Sequence, residues 1–405
     1  MVTRKYRVMG NLIIKNEESN MREIITNMAP YCDAITILDT GSDESDRGVM
    51  IAKETLDELK IPGRIRCVTM PTGSKFHFGT ARTAALKFAG EVIEEFKDPV
   101  SFPQGPLFPQ EWEYYKKFNN NWYIFVMDAD NRITEEKERA FICRDSLGTD
   151  QYSCTMIRGS HFKYTVLTKY DLDGFKKWSW KDARHEYVST VGEWKPTSGT
   201  LEFGHISSRS AGARSRDPMT YHDDLIVFKR DMIRDPYSTR YVFYAARSAE
   251  DCNELQTAFE LYVKRAGMNH GWREEQYYSL ICAAKLHRKL HPEEPQDANK
   301  MYLQAIEMSD RLEAPYQLIL YYDEMKYYKS AWLLAKGNLG KAYPKDGLFV
   351  DAELYKWRFD WQASLVAYWA GDKPAYRELT RKVLGCASIP NHIRERAEKN
   401  LVSFG

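Results

Sequence analysis

Trp122-Tyr123-Ile124-Phe125-Val126-Met127-Asp128-Ala129-Asp130 is the stretch on which the fold turns. Six apolar or aromatic residues in a row have the length of a strand buried on both faces. Two carboxylates follow, separated by one residue. In an extended chain positions i and i+2 point to the same side, so Asp128 and Asp130 are expected to converge on one cation at the strand's end. Mg²⁺ and Mn²⁺ favour such oxygen ligands and complete their shells with phosphate oxygens and water. The competing reading is that the two aspartates only solvate a turn before a helix at Thr134.

Upstream, the same alternation of periods recurs. Tyr6–Ile14, Ala34–Asp39 and Arg64–Met70 have strand character, while Met21–Met28, Ser45–Leu59 and Thr80–Phe96 have helical spacing. Strands alternating with helices of this length predict a mostly parallel sheet with crossover helices. Ligands of such sheets bind at the carboxyl ends of the strands, near a topological switch point. Polar residues stand at those ends. Lys15, Asn16 and Glu17 follow the first strand; Asp39, Gly41 and Ser42 follow the second. Each set has the composition of an ordinary turn or cap. Together they ring the place expected for a nucleotide, with Asp39 accepting hydrogen bonds from a ribose or base and Gly41 letting backbone approach the ligand. Arg82 falls in the first turn of the Thr80–Phe96 helix, where a basic group beside a helix N-terminus suits a diphosphate. A plain surface arginine is the alternative.

Residues 97–121 carry four prolines and then Trp112-Glu113-Tyr114-Tyr115, the composition of a surface insertion. Tyr152–Arg158 and Phe162–Thr168 read as an antiparallel pair, and Asp171–Trp180 as a turn-rich aromatic segment. From Pro218 onward glycine thins out, and Ala, Leu and Tyr recur at helical spacing. Ala258, Ala298, Ala331 and Ala375 each open a helix, at intervals of roughly 40, 33 and 44 residues, loosely the ~34-residue tetratricopeptide period. The expected organisation is an α/β domain over 1–217, with 97–121 inserted, and an irregular helical-repeat domain over 218–405.

The bulk numbers fit a two-domain globular protein: 405 residues, 43% hydrophobic and 28% charged, with a net charge of +1. That balance advertises no polyanion or membrane partner. No run approaches the ~20 apolar residues of a membrane span, and no apolar stretch after Met1–Tyr6 has signal-peptide form. The seven cysteines are scattered without metal-type pairing, the pattern of reduced thiols in a cytoplasmic protein.

Four stretches occur in an order that resembles the family 2 glycosyltransferases of the GT-A fold. They are Asn11–Glu18 (N-L-I-I-K-N-E-E), Ile35–Asp43 (I-T-I-L-D-T-G-S-D), Phe78–Leu86 (F-G-T-A-R-T-A-A-L) and Trp122–Asp130. Arg184-His185-Glu186-Tyr187, Gly271–Glu275 and Tyr355–Arg358 resemble a subgroup with a helical, tetratricopeptide-like C-terminal extension. Departures from the family pattern are Thr83 where Asn is usual, His77 near a usual acidic position, and the long 97–121 insertion.

The resemblance implies a GT-A, Rossmann-like nucleotide-sugar domain and an inverting transfer of a hexosyl or pentosyl group from a nucleotide diphosphate, UDP favoured. Asp128 and Asp130 would be the D-x-D pair holding Mn²⁺ or Mg²⁺ and the ribose-diphosphate. A divalent cation stabilises the charge developing on the leaving diphosphate without needing a proton. Inversion needs a base for the acceptor hydroxyl; Glu186 is the first candidate and Asp182 the second. His205 is the candidate third metal ligand, with His185 and His222 competing.

Two rival classes remain. A sugar nucleotidyltransferase would share the sheet and the acidic pair but carries a glycine-rich loop after the first strand, where this chain has Ile14-Lys15-Asn16-Glu17. A non-catalytic interaction protein would use helical repeats as its working surface. For the acceptor, a glycan is favoured. A hydroxymethylated DNA base is the alternative, reached through the basic residues of 205–247 and stacked on Trp178 or Trp180, and a protein side chain is a third.

Overall fold

The structure is a computed structural model that describes residues 6–97, 121–135, 140–142, 146–158, 160–170, 177–209, 212–344 and 347–404. The proline-rich insertion, apart from its end residues, and the first part of the 171–180 segment lie outside the described residues. The chain divides into two compact units, Met1–Val227 and Phe228–Gly405.

The first unit is built on one eight-stranded sheet. Its strands are β1 (Arg7–Ile14), β2 (Ala34–Asp39), β3 (Gly63–Cys67), β4 (Trp122–Met127), β5 (Asn131–Glu135), β6 (Gln151–Arg158), β7 (Ser160–Tyr170) and β10 (Ser198–Ser208). Their order is β3-β2-β1-β4-β7-β6-β10-β5, and β8 (Trp178–Lys181) and β9 (Tyr187–Thr190) form a separate hairpin. The half β3-β2-β1-β4 is parallel and is connected by α1 (Glu18–Met28), α2 (Gly48–Glu58) and α3 (Phe78–Lys97).

Beyond β4 the sheet is mixed, which corrects the expectation of a GT-A, Rossmann-like domain with a mostly parallel sheet. β7 runs antiparallel to β4 and to β6, β10 is parallel to β6, and β5 is antiparallel to β10. The cause is connection length. Parallel neighbours need a crossover of a dozen or more residues. β7 follows β6 after one residue, too short a link for a crossover, so the two pair antiparallel. Thr134, expected to begin a helix, lies in β5 instead.

Strand β4 shows why its run is apolar throughout. Trp122, Ile124 and Val126 face α3 and pack with Leu86, Phe88, Ala89, Val92 and Ile93. Tyr123, Phe125 and Met127 face the other way, into the cluster formed by Met21, Ile24, Ile25 and Met28 of α1 and Ala52 and Leu56 of α2. Both faces of the strand are covered, so neither set of side chains alternates with polar residues.

The second unit is helical. After α4 (Thr220–Arg234), which crosses the division, come α5 (Thr239–Asp251), α6 (Leu255–Gly267), α7 (Arg273–Leu290), α8 (Pro295–Met308), α9 (Glu313–Glu324), α10 (Tyr328–Lys336), α11 (Phe359–Ala370), α12 (Lys373–Leu384) and α13 (Asn391–Phe404). From α5 to α13 each helix packs on its sequence neighbour. Ala258, Ala298 and Ala331 are fully buried, because only a methyl group lets the next helix come this close. Local stops and starts follow known rules. Gly371 ends α11 at φ +93°, and Asp372 caps α12 by accepting from the Ala375 N–H at 3.2 Å. Among the described residues no helix is long and apolar enough to cross a membrane.

Candidate functional site

The carboxyl ends of β1 and β4 lie side by side, and their connections leave in opposite directions across the sheet: β1 leads outward to β2, while β4 is reached by crossing back from β3. This is the switch-point geometry at which open α/β sheets hold ligands. Three carboxylates stand there: Glu17 after β1, and Asp128 and Asp130 after β4.

Asp128 and Asp130 do not converge as expected. The chain turns immediately after β4, with the Asn131 N–H donating to the Asp128 carbonyl at 3.1 Å. The two-residue period of an extended strand therefore ends at Asp128. Asp128 keeps the parity of Trp122, Ile124 and Val126 and so points toward α3, where Arg82 meets it. Its second oxygen accepts from Asn131 Nδ2 at 3.3 Å. Asp130 points elsewhere, beside Glu17. A Cβ on Gly212 would lie 3.2 Å from Glu17 Oε1 and 3.5 Å from Asp130 Oδ2, so both carboxylates border the same glycine. Glu17 Oε1 accepts from the Ala213 N–H at 3.0 Å and Oε2 from Asn20 Nδ2 at 2.7 Å. Burial raises the Glu17 carboxyl above its usual range, and the neighbouring Asp130 adds to the shift.

Arg82 is no surface arginine. Its side chain is 5% exposed and donates through Nε to Glu186 Oε1 at 2.7 Å as well as to Asp128. Its guanidinium lies 5.2 Å from the Trp180 ring centroid. Burial opposes its charge, but Asp128 and Glu186 more than offset that, and its pKa is raised. Tyr164, Met156 and Ile206 close the wall around it. Glu186, the first candidate base, is thus held in an ion pair. Asp182, the second, has φ +66°, and its carbonyl accepts from the Gly79 N–H at 3.0 Å.

That contact also answers the expectation of a diphosphate at the start of α3. The Phe78 N–H donates to the Ala183 carbonyl and the Thr80 N–H to His77 Nδ1, each at 3.1 Å. The first-turn donors are already satisfied. His77, a departure from the family pattern, is the cap.

At the end of β2, Asp39 Oδ1 accepts from the N–H groups of Gly41 and Ser42 at 3.2 and 3.0 Å and from Ser42 Oγ at 2.8 Å. Ser42 Oγ in turn accepts from the Asn16 N–H at 2.9 Å. Asn16 and Gly41 both have positive φ. These residues tie the loop after β1 to the loop after β2. Lys15 precedes that link at the end of β1.

His205 is not brought to the acidic residues. Ile206 lines the Arg82–Asp128 wall, so its strand neighbour faces the opposite side of the sheet. There His205 lines a groove with Thr155, Lys163 and Glu202. His185 lies in the loop before β9, with φ +50°, and His222 is exposed on α4.

One buried cluster escapes the sequence reading. Arg184 donates through Nε to Asp224 at 2.6 Å and through Nη2 to the Gly73 carbonyl at 2.8 Å, and Arg214 pairs with the other Asp224 oxygen. Both guanidiniums lie against Phe78, at 5.3 and 5.1 Å. Burial raises the Asp224 carboxyl, and both arginines oppose that shift. A signal is present, since Arg184 opens the Arg-His-Glu-Tyr segment, but the carboxylate of Glu186 is the more conspicuous group there.

Much of the basic stretch between His205 and Arg247 is engaged internally. Arg209 pairs with Glu23 at 2.7 Å and Lys229 with Glu254 at 3.6 Å. Arg216 donates to the Asn16 carbonyl at 3.0 Å. Arg240 and Arg247 lie over Tyr244 and Phe349. Trp178 and Trp180 are buried, 4% and 6% exposed, and present no open face on which a base could stack.

No family model matches the sequence, and no curated protein matches it. Among solved structures the chain is similar to the MamA protein, at 14% identity over 45% of this chain and 86% of that one, with a TM-score of 0.32. A second MamA structure matches at 13% identity over 46% and 92%, with a TM-score of 0.31. A thermophilic TPR protein of Thermus thermophilus matches at 14% identity over 45% and 91%, with a TM-score of 0.30. The mixed sheet withdraws the GT-A assignment; the fold is a mixed sheet with its helices, followed by a helical unit.

Proposed function

We propose that the chain is a divalent-cation-dependent glycosyltransferase that moves a sugar from a nucleotide diphosphate, UDP in the first instance, to an acceptor hydroxyl on a glycan. One observation carries the reading: Glu17 and Asp130 border the same glycine, Gly212, near the carboxyl ends of the adjacent parallel strands β1 and β4, where Asp128 holds Arg82. The four ordered stretches that resemble family 2 glycosyltransferases supply the chemistry.

The donor set fits a hard cation. Glu17 and Asp130 offer carboxylate oxygens about one glycine, and Glu17 is raised by burial and by its acidic neighbour, a penalty that a divalent ion removes. Glu17 and Asp130 would hold Mn²⁺ or Mg²⁺; when bound, the ion stabilises charge on a diphosphate leaving group. Asp128 supports the site from beneath, through Arg82. The Asp39–Ser42 loop shapes the nucleotide side. Glu186 is the acceptor-side base in this reading, oriented by Arg82 Nε, with Asp182 as its substitute.

Calorimetric titration of UDP, with and without Mn²⁺, tests the reading. Metal-dependent binding that weakens in Asp130→Asn and in Glu17→Gln is expected. Absence of binding by UDP, GDP and dTDP in the presence of Mn²⁺ sinks it.

A further inference from the structure

In the second unit, the loop between α7 and α8 gathers a set of metal-type ligand atoms unrelated to the sheet. One ring nitrogen of His287 and one carboxylate oxygen each of Glu294 and Asp297 lie within 4.8 Å of one another, the one such trio among the described residues. His287 is on the last turn of α7, Glu294 immediately precedes α8, and Asp297 is in its first turn. The loop is pinned by backbone bonds, from His291 N–H to the His287 carbonyl at 2.7 Å and from Glu294 N–H to the His291 carbonyl at 3.1 Å. The three positions are therefore fixed relative to each other by the helix ends.

A second observation points to a ligand. His287 is 6% exposed, and its buried Nδ1 has no hydrogen-bond partner. A polar atom in that state is costly unless a ligand partners it. The rings of Phe259 and His291 lie 5.6 and 5.0 Å from the imidazole. Asp297 Oδ1 also receives Lys300 Nζ at 2.7 Å. A carboxylate has a second oxygen for a metal, and an ammonium on the outer side orients the group as outer partners of metal ligands do.

We propose that His287, Glu294 and Asp297 bind one divalent transition-metal ion, Zn²⁺ in the first instance, that clips the end of α7 to the start of α8. One imidazole and two carboxylates suit Zn²⁺ or Co²⁺ better than the all-oxygen shells that Mg²⁺ and Ca²⁺ prefer. Three protein ligands leave a fourth position for water. The site is independent of the sugar-transfer reading and stands or falls separately from it.

The test uses the full chain, stripped with chelator and titrated with Zn²⁺ and, in parallel, with Co²⁺ followed by its visible absorption. Wild type is expected to take up one more equivalent of Zn²⁺ than His287→Gln, so binding at the acidic residues of the sheet cancels in the comparison. Glu294→Gln alters an exposed side chain and is expected to keep the metal-free melting temperature while weakening this equivalent by ~10-fold or more, the scale of lost metal-site contacts. Asp297→Asn should behave alike. Equal Zn²⁺ affinity of this equivalent in wild type and in the Glu294 and Asp297 variants overturns the proposal, and so does Ca²⁺ that displaces the Co²⁺ spectrum at equal concentration.

Discussion

Arg82 Nε lies 2.7 Å from Glu186 Oε1, with the two side chains 5% and 12% exposed. The same guanidinium holds Asp128. One cation therefore joins α3, the end of β4 and the segment before β9. Two carboxylates share one buried positive charge, which leaves the assembly acidic on the side that Asp128 turns to solvent.

Removing that charge is expected to be severe. Arg82→Met leaves Glu186 buried without its partner, a change that costs about 3–5 kcal/mol when one member of a buried pair is lost. Arg82→Lys should fall between wild type and Arg82→Met, because a point ammonium cannot address two carboxylates in the fork geometry of a guanidinium. Urea unfolding of the three proteins ranks them. An Arg82→Met midpoint equal to wild type would show that Glu186 finds its solvation elsewhere.

Gly79 is expected to tolerate no side chain. A Cβ there would lie 2.7 Å from the Asp182 carbonyl oxygen and 2.9 Å from that of Lys181. Both obstacles are backbone, so the loop must move and the Gly79 N–H bond to Asp182 with it. Gly79→Ala should lose about 1–3 kcal/mol, the usual scale of overpacking, despite the better helix propensity of alanine. Because the displaced loop carries Glu186, the proposed glycosyltransferase reading expects the variant also to lose donor-dependent transfer more than donor binding. Thermal melting and a comparison of binding with turnover check both parts.

The contrast between β4 and its neighbours explains what the sequence could disclose. A six-residue apolar run with helices before it announces a central strand, and that strand is where the chain puts it. β5, β6, β7 and β10 are sheet neighbours through pairings whose partners sit up to about 75 positions away, such as His205 with Thr134. No local period encodes such a choice. The site behaves similarly. Asp128 is legible as the end of a strand, but the sequence turns its partner Arg82 toward a diphosphate, because nothing local says that residues 182–183 cap α3. His205 is a metal candidate by type and order alone, and strand parity, known only once the register is known, turns it to the other face.

Asp224 is predicted to matter more than either arginine that flanks it singly. Its side chain is 2% exposed, and it neutralises Arg184, itself 4% exposed, along with Arg214 at 39%. Asp224→Asn leaves two guanidiniums facing one another without a counter-charge, and about 3–5 kcal/mol should be lost. Arg214→Ala removes only the half-exposed partner and should cost about 1 kcal/mol or less. Chemical denaturation of both variants separates the two cases. Equal effects would mean that Arg214, and not Arg184, is the partner that Asp224 is built around.

The pH dependence of stability should carry the mark of Glu23. Its hydrogen bond to Arg132, at 2.9 Å from Nη2, and the nearby Arg209 hold its carboxyl down from the ordinary 4.5 to about 2. A carboxyl that is more acidic in the folded chain than in the unfolded one releases its proton more readily on folding. The stabilisation is therefore full above about pH 4.5 and is lost as pH falls toward 2. Glu23 is 47% exposed, so solvent screening limits the pair to about 1 kcal/mol or less. Glu23→Gln should accordingly melt a little below wild type at pH 7, and the gap should narrow between pH 4.5 and pH 2, as wild type acquires the proton that the variant's amide already mimics. A gap that stays constant over that range would assign the loss to packing of the Glu23 stem against Arg132, since packing does not titrate.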